Sequence, residues 1–244
     1  MASDIRKIVR KIVTKAKVVT KATRRPLRRL AWPPDPTRVR SILDGLEELY
    51  PDVDCELDRE TPFQLVCATI LSAQCTDERV NMVTPELFRR YPTPQAMAKA
   101  PLPVLETIIR STGFFRQKAK SLKGTAAGVL TRFGGEVPRT IAELTTLPGV
   151  ARKTANVVLG TAYGLAEGVV VDTHVQRLAL RLGLTREVTP EKIEQDLMKV
   201  VPQDRWIRLS HQLIWHGRRV CFARKPDCEH CPLAPNCPAA FKEG

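Results

Sequence analysis

The chain of 244 residues has no apolar run of eighteen or more, so nothing in it is built to cross a membrane as a helix. Alternating strand patterns are missing too, and the β-branched run Val169 to Val171 is too short to found a sheet, which leaves an all-α chain as the expectation. The cysteines exclude a disulfide framework. Of seven, four crowd the C-terminus, while Cys55, Cys67 and Cys75 are scattered through helical apolar segments as small hydrophobes, as in a reducing compartment. Acidic residues are scarce at the start: residues 1–30 hold eleven Lys and Arg against Asp4 alone, so +10 of the formal +13 sits there. Only +3 remains on the rest, a mildly basic body. Within that tail Ile5, Ile8, Val9, Ile12 and Val13 form one apolar stripe on a cationic helix. A phosphate-binding arm fits the whole chain best. A lipid-surface helix, a transit peptide and a solvated extension are the alternatives.

What the chain does have is a terminal cluster of thiols. Cys221, Cys228, Cys231 and Cys237 follow the spacing C-x6-C-x2-C-x5-C inside 17 residues. Thiolates so crowded repel one another unless a soft metal centre bridges them. Structural zinc sites usually pair two short C-x2-C knuckles; the long arms here favour a 4Fe-4S cubane over zinc.

Beyond a linker at Trp32-Pro33-Pro34, one helix follows another. Val39, Ile42, Leu43, Leu46 and Leu49 mark a helix after Thr37. Thr61-Pro62-Phe63-Gln64 combines an N-cap, a first-turn proline and a capping-box partner before the apolar run to Leu71. Thr76 or Asp77 caps a helix ending near Arg90, and helices follow over 102–109 and 116–133, the second stopped by Gly134-Gly135. Thr140 and Glu143 open a helix that runs into Leu147-Pro148-Gly149. Thr189-Pro190 begins another, and the last, 205–216, closes at Gly217.

The segment LPGVARKTANVV at 147–158 is where pattern becomes chemistry. Leu144 and Leu147 pack the first helix, Pro148-Gly149 reverses the chain, Val150 plugs the hairpin, and a second helix opens at Arg152. Amides at such a helix start have no intrahelical partner and can take a DNA phosphate without reading sequence. The pattern is that of a helix-hairpin-helix element.

These residues, with LSAQCTD at 71–77, VVVDTHVQRL at 169–178, HGRRVCFARKPDC at 216–228 and the cysteine loop, resemble the endonuclease III family in unbroken order over roughly residues 37–240. The resemblance implies a two-domain helix-hairpin-helix DNA glycosylase fold: a basic extension and linker at 1–34, a cluster domain of 35–58 plus 166–244, and a helical barrel of 59–165, with DNA across the cleft between the domains. It implies a monomeric DNA glycosylase and abasic-site lyase that removes oxidised pyrimidines from double-stranded DNA in base excision repair. The expected compartment is the cytoplasm of a bacterium, at the nucleoid, or the nucleus or mitochondrion of a eukaryote.

By the same resemblance Lys153 is the nucleophile and Asp172 its acidic partner. The amine must be neutral to attack the anomeric carbon, expel the base and leave a Schiff base for β-elimination. A helix start, the neighbouring Arg152 and desolvation by DNA favour that form. Asp172 opposes it when close, so its place is near the sugar, holding developing positive charge and relaying protons. Asp172-Thr173-His174 also has N-cap grammar, and a purely capping Asp172 is the competing view.

A stacked base is out of reach, so a side chain must fill the gap when the nucleotide swings out. Gln74 matches the family's gap-filling glutamine. Phe114 stands where a leucine is common in the second insertion loop and is a bulkier wedge, with burial of both Phe114 and Phe115 the alternative. Ala151 replaces the hairpin's second glycine, which either strains a positive φ or obstructs a phosphate near Gly149 and Arg152. Arg219, Arg224 and Lys225 flank the first cysteine arm and are expected to face phosphates. His211 and His216 are expected to be structural and His230 exposed. Two other functions stay open on these motifs. One is a monofunctional adenine or mismatch glycosylase; the adenine enzymes generally lack the lysine and carry a further domain, for which no residues remain after Gly244. The other is a non-catalytic DNA-binding module of the same fold.

Overall fold

Four threonines set the grammar of the middle of the chain. Thr61, Thr76, Thr93 and Thr140 each accept, through the side-chain oxygen, the backbone N–H three residues on, at 3.2–3.3 Å. Prolines at the first helical position follow Thr61 and Thr93. The computed structural model describes residues 31–242, and the basic segment 1–30 with its apolar stripe lies outside the described residues. Every regular element among the described residues is helical. The described residues divide into two compact units: Asp54–Glu167, and residues 31–53 joined by 168–242.

The Asp54–Glu167 unit holds α2 (Pro62–Leu71), α3 (Asp77–Arg90), α4 (Pro94–Lys99), α5 (Leu102–Ile108), α6 (Phe115–Phe133), α7 (Ile141–Leu144) and α8 (Arg152–Tyr163). Helix α2 is its axis: every residue from Phe63 to Leu71 is buried, as a helix surrounded by others requires. It packs against α3, α6 and α8, and α6 lies along α4 and α5. The Thr61 cap is reinforced from its partner, because Gln64 Oε1 accepts the N–H of Glu60 at 2.7 Å. Helix α6 ends where Gly134 turns left-handed, and Gly135 N–H reaches back to the Val129 carbonyl. Helix α4, which no sequence pattern had marked, repeats the Thr-Pro start at Thr93-Pro94.

The second unit contains α1 (Pro36–Leu49), α9 (Thr173–Arg181), α10 (Pro190–Val200) and α11 (Trp206–Arg219). Helix α1 is capped by Asp35, with Pro36 in its first turn, so it begins before Thr37. Its buried face of Val39, Ile42, Leu43 and Leu46 lies on α11. Arg38 of α1 also donates to the carbonyls of Gly183 at 3.0 Å and Asn236 at 3.3 Å, fastening the start of the described chain to its end. Thr189 makes no side-chain cap bond on α10. Gly217 does not close the last helix, which continues to Arg219. A Cβ there would stand 2.8 Å from His174 Nδ1 and 2.9 Å from Arg177 Nη2, so this glycine serves a close helix approach instead of a stop. Val169 and Val171 are buried without forming a strand, and Val170 N–H donates to Ser210 Oγ at 3.0 Å.

Candidate active site and cysteine recess

Leu147 and Val150 are buried on either side of the hairpin, which fixes Pro148-Gly149 as its bend. Thr125 of α6 donates its hydroxyl to the Pro148 carbonyl at 2.6 Å. Gly149 has φ +81°, and a Cβ would fall 2.7 Å from Ser121 Cβ, so both conformation and space demand glycine. Ala151 has φ −85°, an ordinary extended value, which removes the strain alternative for its methyl group. It caps α8 without a side-chain acceptor, so no cap competes with an external anion for the first-turn amides of Lys153 and Thr154. Residues 151–153 are exposed, whereas Ala155 and Asn156 turn inward. Lys153 therefore stands exposed just past the elbow.

Two further turns of this unit leave the ordinary backbone regions. Gln74, just past α2, is exposed with φ +53°. Phe114, ahead of α6 and after left-handed Gly113, has φ +46° and is 67% exposed. A non-glycine residue in this region costs on the order of 1 kcal/mol or more, which the surrounding packing must offset. The two phenylalanines divide their tasks. Phe115 packs against the core with the guanidinium groups of Arg110 and Arg116 at 5.9 and 5.5 Å from its ring centre, while Phe114 projects into solvent.

Asp172, in the other unit, is the N-cap of α9: its Oδ1 accepts the Val175 N–H at 2.8 Å. His174 beyond it sits 3.1 Å from Arg177 Nη2, and burial lowers its pKa against the opposing pull of the Asp172 carboxylate.

Cys221, Cys228, Cys231 and Cys237 line one open-sided recess, with Leu178, Leu182 and Val220 in its wall. Among the described residues no three His, Cys, Asp or Glu side chains are grouped closely enough to hold a single metal ion. Arg181, 7% exposed, donates to Cys221 Sγ at 3.3 Å and to the carbonyls of Phe222 and Ala223 at 2.6 and 3.0 Å. Arg177 holds the carbonyls of Gly217 and Cys221 at 3.0 and 3.1 Å. His216 lies between Tyr50 Oη, 3.0 Å from Nδ1, and Cys231 Sγ, 3.4 Å from Nε2. Burial brings the His216 pKa down to about 4 and pushes the Cys231 and Cys237 thiols up to about 12 and about 11. A cationic centre bound beside them would invert that preference for Cys231 and Cys237. Neither arginine was singled out from the sequence, since Arg177 and Arg181 read as ordinary cations of an amphipathic helix. His230 is exposed beside Asp227. Arg219, Arg224 and Lys225 are exposed, with the Arg219 guanidinium stacked 3.7 Å over the Trp215 ring and Lys225 in a left-handed turn.

The family described as HhH-GPD superfamily base excision DNA repair protein matches residues 67–203. Endonuclease III of a Synechocystis species is 57% identical over 203 residues, covering 83% of this chain and 93% of that protein. Endonuclease III of Escherichia coli is 41% identical over 196 residues, 80% and 92% of the two chains. Among solved structures, a non-covalent endonuclease III–DNA complex superposes with a TM-score of 0.80 at 43% identity, covering 85% of this chain and 97% of that one. A trapped endonuclease III–DNA covalent intermediate does so with the same score at 42% identity, covering 85% and 98%.

Proposed function

Since the chain belongs to the HhH-GPD superfamily of base excision DNA repair proteins, we propose that it is a bifunctional DNA glycosylase and abasic-site lyase acting on oxidised pyrimidines in double-stranded DNA. The observation that carries this reading is Lys153, exposed in the first turn of α8 directly behind the Gly149 elbow, in a chain 57% identical to an endonuclease III. The elbow's amides take a phosphate, which brings the amine to the sugar of the everted nucleotide.

The neutral amine of Lys153 attacks C1′, the C–N glycosidic bond breaks, and the base leaves with a proton. Opening of the sugar gives a protonated Schiff base. Loss of a C2′ proton then drives the 3′-phosphate out by β-elimination, and water hydrolyses the adduct to return the amine. Because Lys153 is exposed, exclusion of water from it falls to the bound DNA. The Asp172 carboxylate, one oxygen of which holds the cap, is assigned the role of balancing the positive charge that develops on the sugar. Gln74 and Phe114 enter the stack to hold the nucleotide out.

Cys221, Cys228, Cys231 and Cys237 hold a 4Fe-4S cluster, a reading supported by four sulfurs around one recess and by the Arg181 donor at Cys221. Such a cluster supplies a covalent cross-link and fixed charge, which keeps Arg219, Arg224 and Lys225 toward phosphates. No helix among the described residues is long and apolar enough to cross a membrane; the similarity to bacterial endonuclease III supports a monomer working in the cytoplasm on chromosomal DNA.

Borohydride reduction on an abasic duplex tests the assignment. A covalent adduct is expected with the native chain and none with Lys153→Ala, which still binds the duplex. Undiminished trapping in Lys153→Ala overturns the nucleophile.

A further inference from the structure

Lys118 is 5% exposed, on the second turn of α6, and it makes no ion pair among those formed by the described residues of its unit. Its ammonium instead donates to two backbone carbonyls from separate parts of the fold: Leu71 at 2.7 Å and Thr112 at 2.8 Å. Leu71 is the last residue of α2, whose carbonyl has no intrahelical amide to meet, and Gln74 follows three residues later. Thr112 closes the short turn before α6, and Phe114 follows two residues later. The two exposed left-handed side chains of this unit, Gln74 and Phe114, are thus carried by turns that share one buried cation.

A surface lysine has water for its donors. Burying one draws on desolvation, and burial here does lower the Lys118 pKa. Two charge-assisted hydrogen bonds take up two of the ammonium's three donors and at the same time set the distance between their acceptors. A hydrophobic residue of similar length would fill the same volume. It would leave the two turns free to move separately, each carrying a side chain in a strained region.

We propose that Lys118 is a positioning residue that yokes the Gln74 and Phe114 turns, so that the two side chains enter a duplex as one wedge of set width. The proposal rests on the reading of Gln74 and Phe114 as gap-filling residues. It concerns only the step in which the nucleotide is held out of a stacked duplex. A single-stranded abasic oligonucleotide has no opposite base and no helical stack to part, so the lyase step on it bypasses the wedge.

The test compares kcat/KM for strand cleavage on an abasic duplex and on the same strand alone, for the native chain, Lys118→Met, Lys118→Arg, Gln74→Ala and Phe114→Ala. Lys118→Met is expected to lose between about 10- and 100-fold on the duplex, the scale of misplacement by an ångström, and far less on the single strand. Lys118→Arg, which keeps paired donors, is expected to recover part of the duplex loss. A 2-aminopurine opposite the abasic site reports the same event by fluorescence: the change that the native chain produces on binding is smaller with Lys118→Met. Lys118→Leu, which likewise has no donor, takes its place if the methionine chain does not fold. Equal losses on both substrates, or none on the duplex, overturn the proposal. If Lys118→Met acts natively while Gln74→Ala and Phe114→Ala lose duplex activity, the yoke fails and the wedge stands. If Gln74→Ala and Phe114→Ala are also native-like, the wedge reading falls and the yoke with it.

Discussion

Asp172 Oδ1 accepts the backbone N–H of Val175 at 2.8 Å, so the carboxylate proposed for catalysis is also the cap of α9. The two roles separate by substitution, because asparagine caps a helix about as well as aspartate and alanine does not. Asp172→Asn is expected to melt within a degree or two of the native chain and to lose turnover sharply. Asp172→Ala is expected to lose turnover together with about 1 kcal/mol of stability. Thermal melts alongside single-turnover base excision check this; full activity in Asp172→Asn would reduce Asp172 to a cap.

Ala151 invites a change that leaves the backbone alone. With φ at −85° it occupies a region open to every residue, so Ala151→Gly relieves no strain and, by freeing the unfolded chain, lowers stability by no more than about 1 kcal/mol. The exposed methyl stands beside the first-turn amides of α8. Its removal is expected to tighten binding of abasic duplex, measured by anisotropy with a reduced abasic analogue. Unchanged affinity and turnover would show that the methyl obstructs nothing.

Local grammar carried most of the fold. Thr61-Pro62, Thr140 with Glu143, Gly134-Gly135 and Pro148-Gly149 each encode a start, stop or bend within four residues, and each stands where that grammar puts it. Meaning was lost where it depends on a distant partner. Gly217 looks like a helix stop, but its reason is α9 packed against it through His174 and Arg177. Lys118 has the look of a solvated helical lysine until α2 and the turn at Thr112 close over it. The His216 bridge between Tyr50 and Cys231 joins residues 166 and 15 positions away, a separation that no periodicity records. For the candidate site, the elbow and the cysteine spacing were legible, whereas the left-handed backbone at Gln74 and Phe114 was not, since neither residue type announces it.

The exposed cations of the cysteine loop are proposed to meet DNA phosphates. Arg219 is pre-positioned on Trp215, and Arg224 and Lys225 protrude where the first long arm turns. Each phosphate that a cation neutralises adds about 0.9 to the slope of log binding constant against log salt concentration. Replacing all three by glutamine is expected to flatten that slope by roughly this amount for each phosphate no longer neutralised, with little change in the melting temperature. An unchanged slope would remove the loop from the DNA-binding surface.

Gly217 offers the sharpest link between helix packing and the cysteine recess. Gly217→Ala brings a methyl to 2.8 Å from His174 Nδ1 and 2.9 Å from Arg177 Nη2, closer than atoms can lie. A free side chain would swing aside, but Arg177 is tied to the carbonyls of Gly217 and Cys221, so moving it loosens the residue that begins the first cysteine arm. Overpacking of this kind costs about 1–3 kcal/mol. The melting temperature is expected to fall accordingly, and bound iron, read by chemical assay and visible absorbance, is expected to fall with it. Gly217→Ser should behave likewise, because its Cβ meets the same two side chains. A variant that melts lower yet keeps its full iron content would show that the close approach of α9 and α11 supports the fold without governing the recess.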